Sequence, residues 1–268
     1  MFPDLISLGP LSIKTYGFCM ALGFLAAWHV VAWMCRRMGR SPEALSNLLI
    51  GLMVSGVVGS RAAYVIEHWQ REFAANPVQI VRVDQGGLMF YGGLILAIGY
   101  FVGWCIFKKE KIFQWADVLA VVIPLGHAFG RVGCFFYGCC YGKLSDSPLA
   151  VTFPRGSPAW YEQLNAGLVK SSSTAALPVL PTQLFEAAAV LALFGVLLAV
   201  HRRFWANHEG FTTGCYFVGY AIVRFGIEFL RGDPRAAVGP FSISQTISLG
   251  LLAVGFSFIL VAFFHRKG

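Results

Sequence analysis

Residues 113–136 read FQWADVLAVVIPLGHAFGRVGCFF, an almost unbroken apolar run with Arg131 set late in it between Gly130 and Gly133. The run is longer than the roughly 20 residues a helix needs to cross the hydrocarbon core of a bilayer. Six further stretches of similar texture occur at approximately 14–34, 44–66, 88–107, 183–201, 211–231 and 243–264. Short charged or Pro/Gly-rich connections separate them, and only 137–182 is longer. Composition agrees, with 57% hydrophobic, 15% aromatic and 13% charged residues and a mean hydropathy of +0.65. A water-soluble domain of 268 residues could not hide so much apolar surface in one core. The expected fold is an all-α polytopic membrane protein of seven transmembrane helices. Residues 1–268 form one integral domain, and 137–182 a small periplasmic cap marked by Pro148, Pro154, Gly156, Pro158 and Ser171–Ser173.

Charge sets the expected orientation. Arg36, Arg37, Arg40, Lys108, Lys109, Lys111, Arg202, Arg203, Arg266 and Lys267 flank the spans on alternate connections, which places that side in the cytoplasm. The opposite connections carry Arg71, Arg82, Lys143, Arg155, Lys170 and Arg235 in longer stretches. The N-terminus is then expected outside and the C-terminus in the cytoplasm. The first span, with only Lys14 before it, does not read as a cleavable signal. Most of the net charge of +8 belongs to the cytoplasmic girdle, which pairs with anionic lipid. Nucleic acid is not an expected partner, because no soluble basic face exists to bind it.

Ionisable residues within spans carry the functional information, since each is costly unless it faces a cavity or a partner. Arg61 follows Gly59 late in the second span, Arg131 stands late in the fourth, and Glu186 opens the fifth. Tyr220, Arg224, Glu228 and Arg231 are spaced i, i+4, i+8 and i+11, one stripe of a helix. An internal ion-pair ladder is one reading of that stripe. Arg61, Arg131, Arg224 and Arg231 nevertheless outnumber Glu186 and Glu228, and guanidinium binds phosphate in a planar fork without losing its proton. A lipid phosphate is therefore the expected anion. Gly92, Gly93, Gly133 and Gly142 permit either close helix packing or backbone approach to a ligand.

The segment Gly130-Arg131-Val132-Gly133-Cys134-Phe135-Phe136-Tyr137-Gly138-Cys139-Cys140-Tyr141-Gly142 resembles the signature of bacterial prolipoprotein diacylglyceryl transferases. Tyr16-Gly17, Gly59-Ser60-Arg61, Tyr91-Gly92-Gly93-Leu94, Pro181 to Glu186, Tyr220 to Arg231 and Ser242-Ile243-Ser244-Gln245 follow in the family's order. The resemblance covers nearly the whole chain. It implies transfer of the diacylglyceryl group of phosphatidylglycerol to the lipobox cysteine of prolipoprotein signal peptides, giving a thioether and glycerol phosphate. By motif position Arg131, Arg224, Tyr16, Glu228 and Tyr91 are the expected catalytic residues. Arg61, Gly92, Gly93, Gly133, Gly142, Glu186, Tyr220, Arg231 and Gln245 are the expected substrate-binding ones. No cofactor or metal is implied, and a monomer is expected.

Three positions depart from the family pattern: Tyr91 stands for a His, Cys134 for an Asn and Cys139 for a Glu. A phenol is a poor base near neutral pH, so the family's His base has no counterpart. His127, four residues before Arg131, is open to that role or to a structural hydrogen bond. The run Cys134, Cys139, Cys140 is open to packing, a disulfide or a reactive role, and its spacing does not suit a zinc site. The alternatives are the same fold acting on another acceptor, and a lipid transporter or flippase. The latter needs broken helices and access from both faces, whereas these ionisable residues gather in the outer half.

Overall fold

The computed structural model describes residues 4–8, 11–39, 41–82, 86–204 and 207–264. Arg40, Arg266 and Lys267, used above for orientation, lie outside them. The helices are α1 (Thr15–Arg37), α2 (Pro42–Glu67), α3 (Phe90–Lys108), α4 (Ile112–Tyr137), α5 (Pro158–Asn165), α6 (Thr182–Phe204), α7 (Phe211–Glu228) and α8 (Ile243–Phe264). Of these, α1, α2, α3, α4, α6 and α8 are long and apolar enough to cross a membrane, which makes the chain a polytopic membrane protein. The expected seventh span corresponds to α7, whose 18 residues include Arg224 and Glu228 and which is not one of these six.

Two antiparallel hairpins were not anticipated. Strands β1 (Asp4–Leu8) and β2 (Leu11–Lys14) precede α1, and β3 (Ala237–Val238) and β4 (Phe241–Ser242) precede α8. Helix α7 also stops earlier than expected, at Glu228, so Arg231 does not continue its stripe. Gly232 and Pro234 close behind it supply the reason, since neither residue favours continuation of a helix.

The chain divides into two compact units, residues 31–115 and residues 1–30 with 116–268. In the first, α2 and α3 meet through glycines. A Cβ on Gly59 would lie 2.5 Å from the carbonyl oxygen of Gly92, and one on Gly93 2.6 Å from that of Gly56. No larger residue permits that approach, which is how helices associate where lipid removes the hydrophobic drive. Their outward side chains are apolar; Phe90 is 74% and Phe107 88% exposed, as a lipid-facing surface requires.

In the second unit α7 packs on both α6 and α8. A buried carboxylate fixes where α7 begins: Asp117 of α4 accepts from Gly210 N, Thr213 N and Thr213 Oγ1, each at 2.7 Å. Helix α8 begins with a reciprocal capping box. Gln245 N donates to Ser242 Oγ (3.2 Å) and Ser242 N to Gln245 Oε1 (3.0 Å). Residues 137–182 build a small core of Tyr141, Phe153, Ala159, Trp160, Val169, Ala176 and Val179 around α5. Burial, with the Glu162 carboxylate that accepts from it, pushes the Tyr141 hydroxyl above its ordinary range.

Candidate active site

The centre of the second unit is a carboxylate with no exposure at all. Glu186 lies in the second turn of α6, and its two oxygens face cations from different helices. Oε1 is 3.0 Å from Arg131 Nη2 of α4, and Oε2 is 3.6 Å from Arg224 Nη1 of α7. Arg224 Nη2 is also held by Glu228 Oε2 at 2.8 Å, one turn along its own helix, and donates to Ser244 Oγ at 3.0 Å. A buried charge of this kind persists only when paired. The pairing therefore sets the separation of the two guanidinium planes before any ligand arrives.

His127 completes the group. Arg131 Nε donates to His127 Nε2 at 3.0 Å, and the same nitrogen lies 3.3 Å from Glu186 Oε1. One ring nitrogen cannot accept from the arginine and donate to the carboxylate at once. The shorter contact is the arginine's, which makes Nε2 the acceptor and places the ring proton on Nδ1. Tyr220 packs on this imidazole with ring centroids 5.5 Å apart, and Tyr216 stacks on Tyr220 at 5.8 Å.

Other expected site residues arrive for packing reasons that can be named. Gly133 lets α1 approach α4, since a Cβ there would come 2.9 Å from Tyr16 Cδ2. Tyr16 thereby reaches the electrostatic neighbourhood of Arg131, Cys134 and Cys139. Gly142 threads between Leu180 and Leu230 and bridges to Arg231. Arg231 is not an unpaired cation: Asp233, two residues on, takes Nε and Nη2 at 2.7 Å each. The expected excess of guanidinium must be revised accordingly, because that count omitted Asp233. Gln245 has its side-chain oxygen engaged as the α8 cap.

Arg61, Tyr91, Gly92 and Gly93 lie in the other unit. The Arg61 guanidinium donates to Ile80 O (2.8 Å), Gln79 O (2.6 Å), Gly86 O (2.9 Å) and Gly87 O (3.0 Å). That is the geometry of a loop clamp. Gly92 and Gly93 form the α2–α3 crossing, and Tyr91 is 57% exposed beside them. The sequence reading missed Asp117, although a lone carboxylate inside an apolar run was a signal. It also assigned no role to Thr182 and Gln183, which donate to the carbonyls of Cys140 (2.9 Å) and Cys139 (2.7 Å) and tie α6 to the turn after α4.

A buried pair of arginines held on one carboxylate suits a bound anion that offers several acceptor oxygens. Known proteins agree on where such a chain belongs. The family model described as prolipoprotein diacylglyceryl transferase matches residues 3–261. A phosphatidylglycerol-prolipoprotein diacylglyceryl transferase of Stenotrophomonas maltophilia is 33% identical over 97% of this chain and 91% of its own length. The enzyme numbered 2 of that name from Clostridium perfringens is 32% identical over 91% and 89%, and one from Pseudoalteromonas translucida 30% identical over 97% and 92%. With the match running through every helix that builds the arginine pair, the chain belongs to the prolipoprotein diacylglyceryl transferase family.

Proposed function

We propose that this enzyme transfers the diacylglyceryl group of phosphatidylglycerol to the thiol of a lipobox cysteine in prolipoproteins, forming a thioether and releasing glycerol phosphate. One observation carries the reading at the level of residues: Arg131 and Arg224, from different helices, are pre-set on the two oxygens of the buried Glu186. In the reaction a sulfur attacks an sp³ glyceryl carbon while the C–O bond to phosphate breaks, and the electron pair leaves on a phosphate oxygen. Donors fixed in advance where that charge grows lower the barrier without reorganising during the step. Arg131 and Arg224 take this role. Glu186 and Glu228 hold their forks, Tyr16 and Tyr220 flank them, and Arg231 with Gly142 pins the following segment. Arg61 shapes the loop it clamps.

Helix α7 completes seven spans, its polar stripe turned to the protein interior, and 137–182 caps the site on the periplasmic side. The N-terminus faces the periplasm and the C-terminus the cytoplasm, as the flanking cations require. The decisive experiment incubates purified protein in phosphatidylglycerol micelles with a lipobox peptide and weighs the product. A peptide heavier by one diacylglyceryl group is expected; no adduct with any lipobox peptide would overturn the reading. A reporter fused after Gly268 should be active only in the cytoplasm, and activity confined to the periplasm would invert the topology.

A further inference from the structure

The turn after α4 gathers what the linear spacing keeps apart. Cys134 lies in the last turn of α4, and its carbonyl accepts from both Gly138 N (2.9 Å) and Cys139 N (3.2 Å). Gly138 and Cys140 then take positive φ, 83° and 64°, and fold the chain back over the helix end. The three sulfurs of Cys134, Cys139 and Cys140 all end within 4.8 Å of one another, and all three residues are half-buried. Gln183 and Thr182 hold the two turn carbonyls from α6, so the arrangement is fixed from a second element. Arg131 and Arg231 both act electrostatically on Cys140.

Three sulfurs so placed fit a tetrahedral zinc ion. Zinc–thiolate bonds of about 2.3 Å put sulfurs about 3.8 Å apart, so the thiols need draw together by only about an ångström. Zinc with three thiolates carries one net negative charge, which the two guanidinium groups offset. A closed structural site would require a fourth protein ligand, and among the described residues no fourth His, Cys, Asp or Glu joins the group. Three protein ligands and one open position is the pattern of a catalytic zinc.

We propose that Cys134, Cys139 and Cys140 bind a zinc ion whose open position takes the sulfur of the acceptor cysteine. This deepens the proposed function and rests on it. The reaction needs a thiolate, and His127 offers no free Nε2 to make one, because that nitrogen accepts from Arg131. A thiol that coordinates zinc loses its proton outright. The steps balance without an oxidant or reductant. The acceptor S–H bond breaks as the Zn–S bond forms, and the proton passes to water. The sulfur's electron pair then makes the bond to the glyceryl carbon, and the C–O bond breaks towards the phosphate held by Arg131 and Arg224. The product thioether, a poorer donor, leaves the zinc.

The test uses the full-length protein, purified in detergent under reducing conditions, with metal content measured directly. About one zinc per chain is expected, falling roughly tenfold or more in C134S, C139S and C140S, each checked for folding by its thermal melt. The cobalt-substituted protein should show a visible ligand-field band that shifts when a lipobox peptide is added and does not shift with the same peptide carrying Ser for Cys. Absence of metal from the reduced protein even after incubation with zinc would overturn the proposal, as would a cobalt spectrum indifferent to the peptide thiol. Transfer by a zinc-free wild-type protein would sink the zinc and leave the transferase standing. A thiol-responsive metal site in a protein that transfers nothing would sink the transferase reading itself.

Discussion

Arg61 and Arg131 look alike in sequence, each late in an apolar span and each beside glycines, yet the fold treats them oppositely. Arg61 donates from all three of its nitrogens to four neutral backbone carbonyls and lies near the rings of Tyr64 and Phe73, at 5.6 and 5.2 Å. Arg131 faces an imidazole and a carboxylate that it shares with Arg224. A carbonyl belongs to the chain and cannot leave, so Arg61 is locked into the structure. A carboxylate contact is an ion pair whose geometry a phosphate oxygen can enter or replace. The difference separates an arginine that holds a loop from one that can hold a ligand.

The most demanding test of that contrast is the charge-conserving exchange. Arg131→Lys and Arg224→Lys each replace a planar fork by a point charge, and kcat is expected to fall by about 100-fold or more, the scale of losing a transition-state donor. Folding should survive, since the ion pair to Glu186 remains available to an ammonium group. Steady-state kinetics beside a thermal melt measures both. Near-normal turnover in the two variants would reduce the arginines to internal ion-pair partners and erase the contrast with Arg61.

Arg61→Lys should cost less turnover and change something else. One ammonium group cannot reach four carbonyls spread over residues 79–87, so the loop should lose protection from hydrogen exchange while kcat stays within about tenfold of wild type. Should the loss of kcat instead match that of Arg131→Lys with the loop still protected, Arg61 would belong with the phosphate ligands.

The contrast also marks what the sequence could reveal. Span positions and the charged stripe of α7 were legible, because bilayer thickness and the cost of buried charge act on local stretches, whereas the grouping of Arg131, Arg224, Glu186 and Glu228 at one site came from the family resemblance. The partner of Arg231 was not legible, although Asp233 is only two residues away, because the expected span runs to Arg231 whereas α7 ends at Glu228 and leaves Arg231 in the turn beside Asp233. The gathering of three cysteines depends on two positive φ angles, which spacing does not report. Asp117 and Arg61 find their partners 93 to 96 and 18 to 26 residues away, distances that only the folded chain settles.

Asp117→Asn probes a purely structural anchor in the same unit as the arginine pair. The native carboxylate accepts three hydrogen bonds at the start of α7, and an amide has only one acceptor oxygen to offer. A loss of about 1–2 kcal/mol is expected, the size of a helix cap combined with its favourable charge. Because Arg224 rides on α7, the effect on activity should be a modest loss of kcat, well short of that in Arg224→Lys. A large loss of kcat at unchanged thermal stability would mean that Asp117 takes part in the chemistry.

The smallest expected effect belongs to Gln245, where two roles can be told apart by one atom. As the cap residue of α8 it needs only an acceptor oxygen for Ser242 N, so Gln245→Ala should cost about 1 kcal/mol of stability. Gln245→Glu keeps an acceptor, strengthens the cap through its charge at a helix N-terminus, and should be as stable as wild type. If capping is its whole contribution, turnover in the Glu variant is expected to be near normal. If Gln245 instead closes over the substrate, a carboxylate would stand against the lipid phosphate, and KM for phosphatidylglycerol would rise steeply in a protein that melts no earlier. Paired melts and lipid titrations of the two variants therefore decide whether Gln245 belongs with the locked residues, like Arg61, or with the arginines that await a ligand.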